Sequence, residues 1–280
     1  MLLTGIRSLL LPVLTGRVDG IYIMIFRSKN SFGRTAAAKT TILLSVVFFL
    51  SVFASNVTAQ KKFSRNYPAG QVVRLQLMNR TGTVTVEGWN RPEINITASL
   101  EAPAANIAPQ NLSGVIVINL VRDNQGRDEV GNVNFLIRVP FYAVVDIETR
   151  IGNLSVSNVR SSLVRAHISS EGDITLTNIE SSAVLAENTL GDIFFDGELQ
   201  QNGNYRFASM RGNISLRIPF NSSFKLVATA PSTRNINVGA CSGANFSSLG
   251  DGRRIVGKCG DGAASLTVTN QRGAINFYSR

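Results

Sequence analysis

A pentapeptide that recurs about every 20 residues constrains this 280-residue chain more than any other feature. Each copy begins with Gly, usually continues with Asn or Asp, and then alternates apolar and other residues, as GDITL does. The copies begin at Gly131, Gly152, Gly172, Gly191 and Gly212, and looser versions begin at Gly82, Arg234 and Gly273. Successive glycines of the first five copies lie 21, 20, 19 and 21 residues apart. Such a constant period is typical of stacked repeats, in which each unit buries its apolar side against its neighbours.

Each repeat predicts two short strands. In the pentapeptide, Ile174 and Leu176 alternate with Thr175, which is the period of a half-buried strand. About ten residues later comes a second alternating run, such as LVRAHI or YRFASM, after a piece rich in turn residues. No segment of useful length has a helical period. We therefore expect an all-β fold, a single β-solenoid or β-roll of about 20-residue coils with two strands per coil, preceded by an N-terminal signal helix.

The repeat glycines and the Asn or Asp residues after them predict turns. Glycine adopts positive φ without strain, and Asx side chains cap their own turns. The glycines expected to occupy these repeat turns are Gly131, Gly152, Gly172, Gly191, Gly212 and Gly273. Stacked Asn and Asp side chains are further expected to hydrogen-bond along the solenoid as a ladder. The alternative is a calcium site, which we disfavour because glycine-rich nonapeptide repeats are absent and Asn153, Asp173, Asp192 and Asn213 differ in charge rather than converge as acids.

The N-terminal region resembles an export signal. An apolar stretch from Thr40 to Ala54 follows several basic residues and ends in small residues, and at about 15 residues it is shorter than a membrane-spanning helix. We predict cleavage between Ala59 and Gln60, with a retained anchor or a buried core helix as the alternative. Met24 would itself open a well-formed signal, so the chain's start at Met1 is expected to be over-extended.

Three segments follow from these patterns: residues 1–59 as the leader, 60–130 as an opening β section or N-terminal cap, and 131–280 as the repeats with a C-terminal cap. In the opening section, Trp89 is expected to cover a corner of the first coil, with a carbohydrate-stacking platform as the alternative. Without the leader, 22 basic residues face 17 acidic ones, a net charge of +5. That balance is compatible with anionic polymers or lipid head groups and unlike a nucleic-acid-binding protein.

Two cysteines predict a disulfide. Cys241 and Cys259 flank a loop rich in Gly and Ser, and an exported chain meets an oxidising environment. The alternative of a redox pair is disfavoured because the spacing is not CxxC.

Candidate catalytic residues are few. Asp146 and Glu148 share one side of a strand, and Asp173, Asp192 and Asp196 lie in later coils, so these acids are the weak surface-site candidates for a carbohydrate-active enzyme. A solvated outer face is the favoured interpretation, because arginines are interspersed among them. His167, the single histidine, is expected at the surface, and no nucleotide-binding or G-x-S-x-G motif occurs. We predict no catalytic residue, cofactor or metal site.

The order of these motifs resembles the bacterial putative-adhesin family of exported repetitive β domains. The resemblance rests on GTVTVEGWNRPEINI, on the repeated G-[ND]-[IL]-x-[LVF] units and on the ending GDGAASLTVTNQRGAINFYSR, and covers residues 70–280. It implies a right-handed β-solenoid-like fold and an exported location, and it supplies no catalytic residues. The chain departs from the family's usual ending at Ala263 and Ala264, which replace a glycine pair.

These observations favour an exported, non-enzymatic surface-interaction or scaffold module of the bacterial cell envelope, located in the periplasm, at the cell surface or outside the cell. Its expected partners are a glycan, an envelope polymer or a protein, with no nucleic acid and no transmembrane anchor after cleavage. The alternatives are a carbohydrate-active enzyme on a β-helix scaffold and an envelope-stress signalling component.

Overall fold

The computed structural model describes residues 61–280 of the chain. These residues contain twenty-one β-strands and one helical turn, joined by turns and loops. The helical turn α1 spans Leu120–Asp123. The strands are β1 (Lys61–Pro68), β2 (Arg74–Thr81), β3 (Val84–Trp89), β4 (Glu93–Leu100), β5 (Gln110–Leu112), β6 (Val115–Asn119), β7 (Val133–Pro140), β8 (Val144–Ile151), β9 (Leu154–Val159), β10 (Val164–Glu171), β11 (Ile174–Ile179), β12 (Ala183–Leu190), β13 (Ile193–Gly197), β14 (Asn204–Arg211), β15 (Ile214–Ile218), β16 (Phe224–Thr229), β17 (Ile236–Asn237), β18 (Asn245–Leu249), β19 (Arg254–Cys259), β20 (Ala264–Arg272) and β21 (Ile275–Ser279).

The leader predictions lie outside the described residues. They comprise the signal helix, the cleavage site between Ala59 and Gln60, and the start at Met24. Within residues 61–280, no helix has the length and apolar character needed to cross a membrane.

The strands form two open sheets that face each other across the core. Sheet A has the strand order β1-β4-β7-β3-β9-β11-β13-β15-β21-β17. Sheet B has the order β18-β19-β16-β20-β14-β12-β10-β8-β2-β6-β5. The predicted all-β, solenoid-like fold is confirmed.

The central coils repeat one arrangement. Strands β8, β10, β12 and β14 stack in parallel in sheet B, and the strands that follow each of them, β9, β11, β13 and β15, stack in parallel in sheet A. The register places Leu154, Ile174, Ile193 and Ile214 side by side, and all four are fully buried. Burying an aliphatic side chain of this size contributes about 1.5–3 kcal/mol, so the alternating pattern itself drives the stacking.

A column of glycines runs along one corner of the stack. Its members adopt positive φ, and a Cβ built on each of the last five would overlap the backbone of the glycine one coil earlier. In stacking order they are Gly82, Gly152, Gly172, Gly191, Gly212 and Gly273. A side chain at these positions would therefore force neighbouring coils apart as well as strain the turn.

Gly131 does not belong to this column, so its assignment as a repeat turn is wrong. Strand β7 pairs with β3 in a register that sets Phe135, rather than Val133, beside Val84. The shift of two residues moves Gly131 away from the corner. At its actual position, Gly131 does not have a positive φ, and it faces the backbone of Glu101. Gly82, which begins only a loose copy of the pentapeptide, takes its place.

The predicted boundary at residue 130 does not divide the fold. Strands β2 and β3, from the presumed opening section, pair directly with β8 and β9 of the central coils. Residues 61–280 belong to one compact unit. Strands β2 and β3 thus lie next to β8 and β9 in space. In the chain they are separated from them by β4 to β7, which lie at the end of the stack.

The last coils stack out of chain order. Strand β20 lies between β14 and β16 in sheet B, and β21 lies between β15 and β17 in sheet A. In chain order, β16 and β17 thus come before β20 and β21. In space, β20 and β21 lie between them and the coil of β14 and β15.

The hairpin of β18 and β19 covers this end of the core. It extends sheet B beyond β16 in antiparallel pairing, and Phe246 and Ile255 pack against the buried cluster. A disulfide joins Cys241 to Cys259, with 6.1 Å between the two Cα atoms, as the sequence predicts. The cysteine loop is thus the C-terminal cap, where exposed strand edges would otherwise invite association.

Candidate functional site

A row of outward side chains crosses all ten strands of sheet A. We call it the polar row, and pairing registers place its members side by side in the order Ser64, Thr97, Leu136, Thr85, Ser155, Thr175, Phe194, Ser215, Asn276 and Asn237. Each is exposed or half-buried because it alternates with core residues. At a strand spacing of about 4.8 Å, the row extends roughly 40 Å. All but Leu136 and Phe194 carry a hydroxyl or an amide.

A shallow groove lies at one end of the polar row. Its volume is about 590 Å³, and Thr83, Thr85, Thr97, Ser99 and Leu136 contribute to its lining. The Thr97 hydroxyl donates a hydrogen bond to the Leu136 carbonyl at 2.9 Å, which holds one wall of the groove in place. The groove combines hydroxyl groups and the Lys62 side chain with an apolar floor, a composition that suits a polar ligand.

Most charges on this face occur in ion pairs, whereas Lys62, which contributes to the lining of the groove, forms none within residues 61–280. Arg138 contacts Glu87 at 3.1 Å. Asp196 accepts hydrogen bonds from Arg217 and Arg280, and its carboxylate raises the pKa of the Arg217 guanidinium above the ordinary value. These pairs leave little net charge along the polar row, so contacts made there depend on hydrogen bonds and shape rather than on long-range attraction.

Three aromatic side chains border or interrupt the row. Phe194 lies within it, Tyr278 is 50% exposed on β21, and Trp89 ends β3. The Trp89 indole N–H donates to the Glu93 carbonyl at 2.9 Å, and the Arg91 guanidinium lies 5.0 Å from the ring centroid. Trp89 therefore bridges the corner between β3 and β4, the position that the corner interpretation describes.

Of these aromatic residues, the outward Phe194 was not identified from the sequence, although a signal for it exists. In GDIFF, Ile193 and Phe195 are buried, and the intervening Phe194 must point outward. Strand alternation applied to single residues would have found it. Leu136 and the groove required the pairing of β7 with β3 and β4, which the sequence pattern does not contain.

The acidic candidates are not brought together. Asp146 and Glu148 lie on the outer face of sheet B, where Asp146 contacts Arg74 at 2.7 Å and Arg165 at 3.0 Å. Arg165 also lies 3.8 Å from Glu148. Asp173 and Asp192 lie instead in the glycine turns. A glycosidase needs two carboxyl groups in different environments, one that keeps its proton and one that is ionised. Carboxylates that are both paired with arginine do not have this difference.

The Asn and Asp residues of the turns form a ladder. Each side-chain oxygen accepts the backbone N–H one coil further along: Asn153 from Asp173 at 3.0 Å, Asp173 from Asp192 at 2.8 Å, and Asp192 from Asn213 at 2.7 Å. One side-chain oxygen of each of these three residues is therefore already engaged within the stack. Among residues 61–280, no three His, Cys, Asp or Glu side chains are grouped to hold a metal ion.

His167 lies on the outer face of sheet B, as its predicted surface position requires. Its neighbours across the register are Glu148 and Glu187, and its Nδ1 atom lies 3.9 Å from the Glu187 carboxylate. Within residues 61–280, His167 forms no hydrogen bond with a Ser, Thr or Cys side chain, as a catalytic triad would require.

The chain is similar to a known protein family. A family profile described as Toastrack DUF4097 matches residues 55–277. No curated protein sequence matches the chain significantly.

Several solved structures are similar to this chain at low identity. A "putative cell adhesion protein" from Clostridium sporogenes ATCC 15579 is 16% identical, with a TM-score of 0.42, and the match covers 79% of this chain and 100% of that one. A "putative adhesin" from Bacteroides fragilis NCTC 9343 is 9% identical, with a TM-score of 0.38 and coverage of 79% and 98%. A "putative lipid binding protein" from Parabacteroides distasonis ATCC 8503 is 10% identical, with a TM-score of 0.35 and coverage of 78% and 97%.

Proposed function

The chain belongs to the Toastrack DUF4097 family, and from that premise we propose that it is an exported, non-enzymatic surface-interaction module of the bacterial cell envelope. Its partner is an envelope glycan or similar uncharged polymer, and the contact surface is the outer face of sheet A.

The observation that carries this proposal is the polar row. Hydroxyl and amide groups are held at strand spacing on a backbone whose opposite side is packed in the core. Because the β-strands already fix these groups, little conformational entropy is lost when they bind. Each contact is weak, and affinity arises from many contacts along one polymer.

The aromatic side chains support a glycan in particular. Sugar rings present apolar faces as well as hydroxyl groups, so they pack on aromatic rings while hydrogen-bonding to neighbouring polar groups. Phe194 stands between Thr175 and Ser215 in the polar row, and Tyr278 stands beside Arg217.

A retention experiment tests the proposal. The purified chain is incubated with insoluble cell-wall glycan, and the bound fraction is measured after sedimentation. The wild-type chain should be retained, and Thr175→Arg should reduce retention because a long charged side chain then stands in the middle of the polar row.

The matched control is Gln76→Arg, which adds the same side chain to the outer face of sheet B. It should leave retention unchanged. No retention of the wild-type chain would overturn the proposed function, and equal retention of Thr175→Arg would remove sheet A as the contact surface.

A further inference from the structure

Charge is distributed unevenly along the chain. Residues 61–200 contain 12 Lys and Arg against 15 Asp and Glu, a net charge of −3. Residues 201–280 contain ten Lys and Arg against two Asp, a net charge of +8. Both acids, Asp251 and Asp261, lie in turns. The strands at the C-terminal end of the stack therefore carry cations without acids.

These cations meet on one surface. Strands β14, β20, β16, β19 and β18 are consecutive neighbours in sheet B, and none of them contains Asp or Glu. Their outer face, which we call the basic platform, carries the exposed side chains of Arg206, Lys225, Arg254 and Lys258. Arg206 contacts Glu187 at 3.0 Å. The other three form no ion pair within the described part of the chain.

Like charges face each other at this end of sheet B. Lys225 and Lys258 are directly opposite across β16 and β19, and Arg211 and Arg272 are neighbours on β14 and β20. Like charges in register destabilise a sheet. Elsewhere on sheet B the opposite arrangement holds, as where Arg165 contacts Asp146. A surface that keeps unpaired cations in register is suited to a ligand that supplies the anions.

The acid nearest to the lysine pair is already engaged. Asp261 lies in the turn that follows β19 and accepts a hydrogen bond from the Ser223 hydroxyl. It forms no ion pair with Lys225 or Lys258 within residues 61–280. The Ser223 hydrogen bond and, to a smaller extent, the charge of Lys258 lower the pKa of Asp261, but neither ammonium group is within ion-pair distance of its carboxylate.

We propose that the basic platform binds an extended anionic polysaccharide through its carboxylate or phosphate groups. The lysine pair and the arginines contact the anions, and the outward hydroxyls of Thr267 and Thr269 between them hydrogen-bond to the sugars. The five strands are about 20 Å across, which is wide enough to hold several charged sugars of one chain. This surface is separate from the polar row, so the inference goes beyond the function proposed above.

The composition of the platform favours a polymer over a lipid surface. Its middle carries Thr267, Val227 and Val256, which are half-buried and too short to insert between acyl chains. The larger apolar side chains, Met210 and Leu249, lie at the rim.

The test measures binding of the full chain to polygalacturonate, a linear polymer of carboxylated sugars, with neutral dextran as the comparison. We expect binding to polygalacturonate at low salt, weakening as salt is added because exposed charges are screened. Dextran should not bind to the platform. The variant Lys225→Ser/Lys258→Ser should lose affinity for polygalacturonate by about tenfold at low salt, since it removes two cations that have no ion-pair partner in the described part of the chain.

The matched control is Lys61→Ser/Arg150→Ser, which removes two exposed cations outside the platform and should change affinity by about twofold or less. The lysine-pair variant should melt at the wild-type temperature or above it, because a repulsion is relieved. If that variant fails to fold, Arg211→Ser/Arg272→Ser gives the same comparison.

Three results would overturn the proposal: no binding to polygalacturonate, equal affinity of the platform and control variants, or binding only to phosphatidylglycerol vesicles. Thr175→Arg leaves the platform intact. Loss of cell-wall retention in that variant therefore reports on the polar row alone.

Discussion

Asn213 and Ala274 are 61 residues apart in the chain, yet the Asn213 side-chain oxygen accepts the backbone N–H of Ala274 at 3.1 Å. The contact exists because β20 and β21 return to lie directly on β14 and β15. It continues the Asn and Asp ladder of the central coils, so the returning segment uses the same stacking contacts as its neighbours. The stability of the C-terminal end therefore depends on non-local contacts.

Substitution of Gly191 by Ala should destabilise the fold by about 3 kcal/mol, because the new Cβ combines strain with a backbone collision. Gly191 has φ of +128°, and its Cβ would overlap the carbonyl group of Gly172. Urea denaturation measures the loss. The control is Gly70→Ala, whose Cβ meets no atom within 4 Å. Similar midpoints for the two variants would contradict the close stacking of the glycine column.

Substitution of Asn270 by Ala should destabilise the fold by about 1–3 kcal/mol, the cost of leaving buried carbonyls without a donor. The buried Asn270 amide donates to the carbonyls of Gly212 at 2.8 Å and Ala274 at 3.1 Å. It thus ties the returning segment to the preceding coil. Thermal denaturation provides the measurement, with the exposed neighbour Gln271→Ala as a control that should change stability by about 0.5 kcal/mol or less. An equal effect of both would show that the amide does not anchor the segment.

Reduction of the disulfide should lower stability by about 3 kcal/mol on the chain-entropy account. Cys241 and Cys259 are 18 residues apart, and Cys259, the last residue of β19, is buried. The melting temperature of the wild-type chain should fall when a reductant is added. The variant Cys241→Ser/Cys259→Ser should melt at the lower temperature with or without reductant. A wild-type chain that is reduced but melts unchanged would show that the cap is held by packing alone.

Stability should fall above pH 10 because of Tyr205. Its hydroxyl donates to the Ser181 carbonyl at 2.8 Å and accepts the Gln200 N–H at 2.6 Å. Burial raises the pKa of Tyr205 above its ordinary value of 10.0, and the Gln200 N–H partly offsets this rise. The unfolded phenol therefore ionises first, so the stabilisation is complete below pH 10 and is lost as the pH rises towards the folded pKa.

The variant Tyr205→Phe separates this effect from general alkaline unfolding. It should be less stable than wild type at neutral pH by about 1–2 kcal/mol, since two hydrogen bonds are lost. Its stability should change less between neutral pH and pH above 10. Parallel pH profiles for the two proteins in urea denaturation would argue against Tyr205 as the titrating group.

Much of the local structure could be predicted from the chain. Alternation of apolar residues in LSV, ITL and ISL predicts the strands, and the side chains of Leu154, Ile174 and Ile214 are buried as that alternation requires. The turn glycines at 152, 172, 191 and 212 follow from the need for positive φ. The disulfide followed from the spacing and setting of two cysteines. Each of these depends on neighbouring residues, which a linear pattern contains.

The candidate surfaces could be predicted less well. Thr175 and Ser155 point outward by alternation, but their alignment with Thr85 depends on β3 pairing with β9. The acids were identified by residue type alone, and the contact of Asp146 with Arg74 joins residues 72 positions apart. Neither relationship leaves a signal in one sequence.

Periodicity established that the chain folds into coils with apolar interiors and glycine corners, because strand alternation and turn conformation are local properties. The order of the coils was decided only on assembly. Every coil presents similar backbone edges and similar aliphatic rows, so Gly82 and Gly152 stack as readily as consecutive repeats do, and Gly273 fits on Gly212. Which edges meet depends on how the two ends are covered, since the lowest free energy belongs to the complete stack rather than to any single pair.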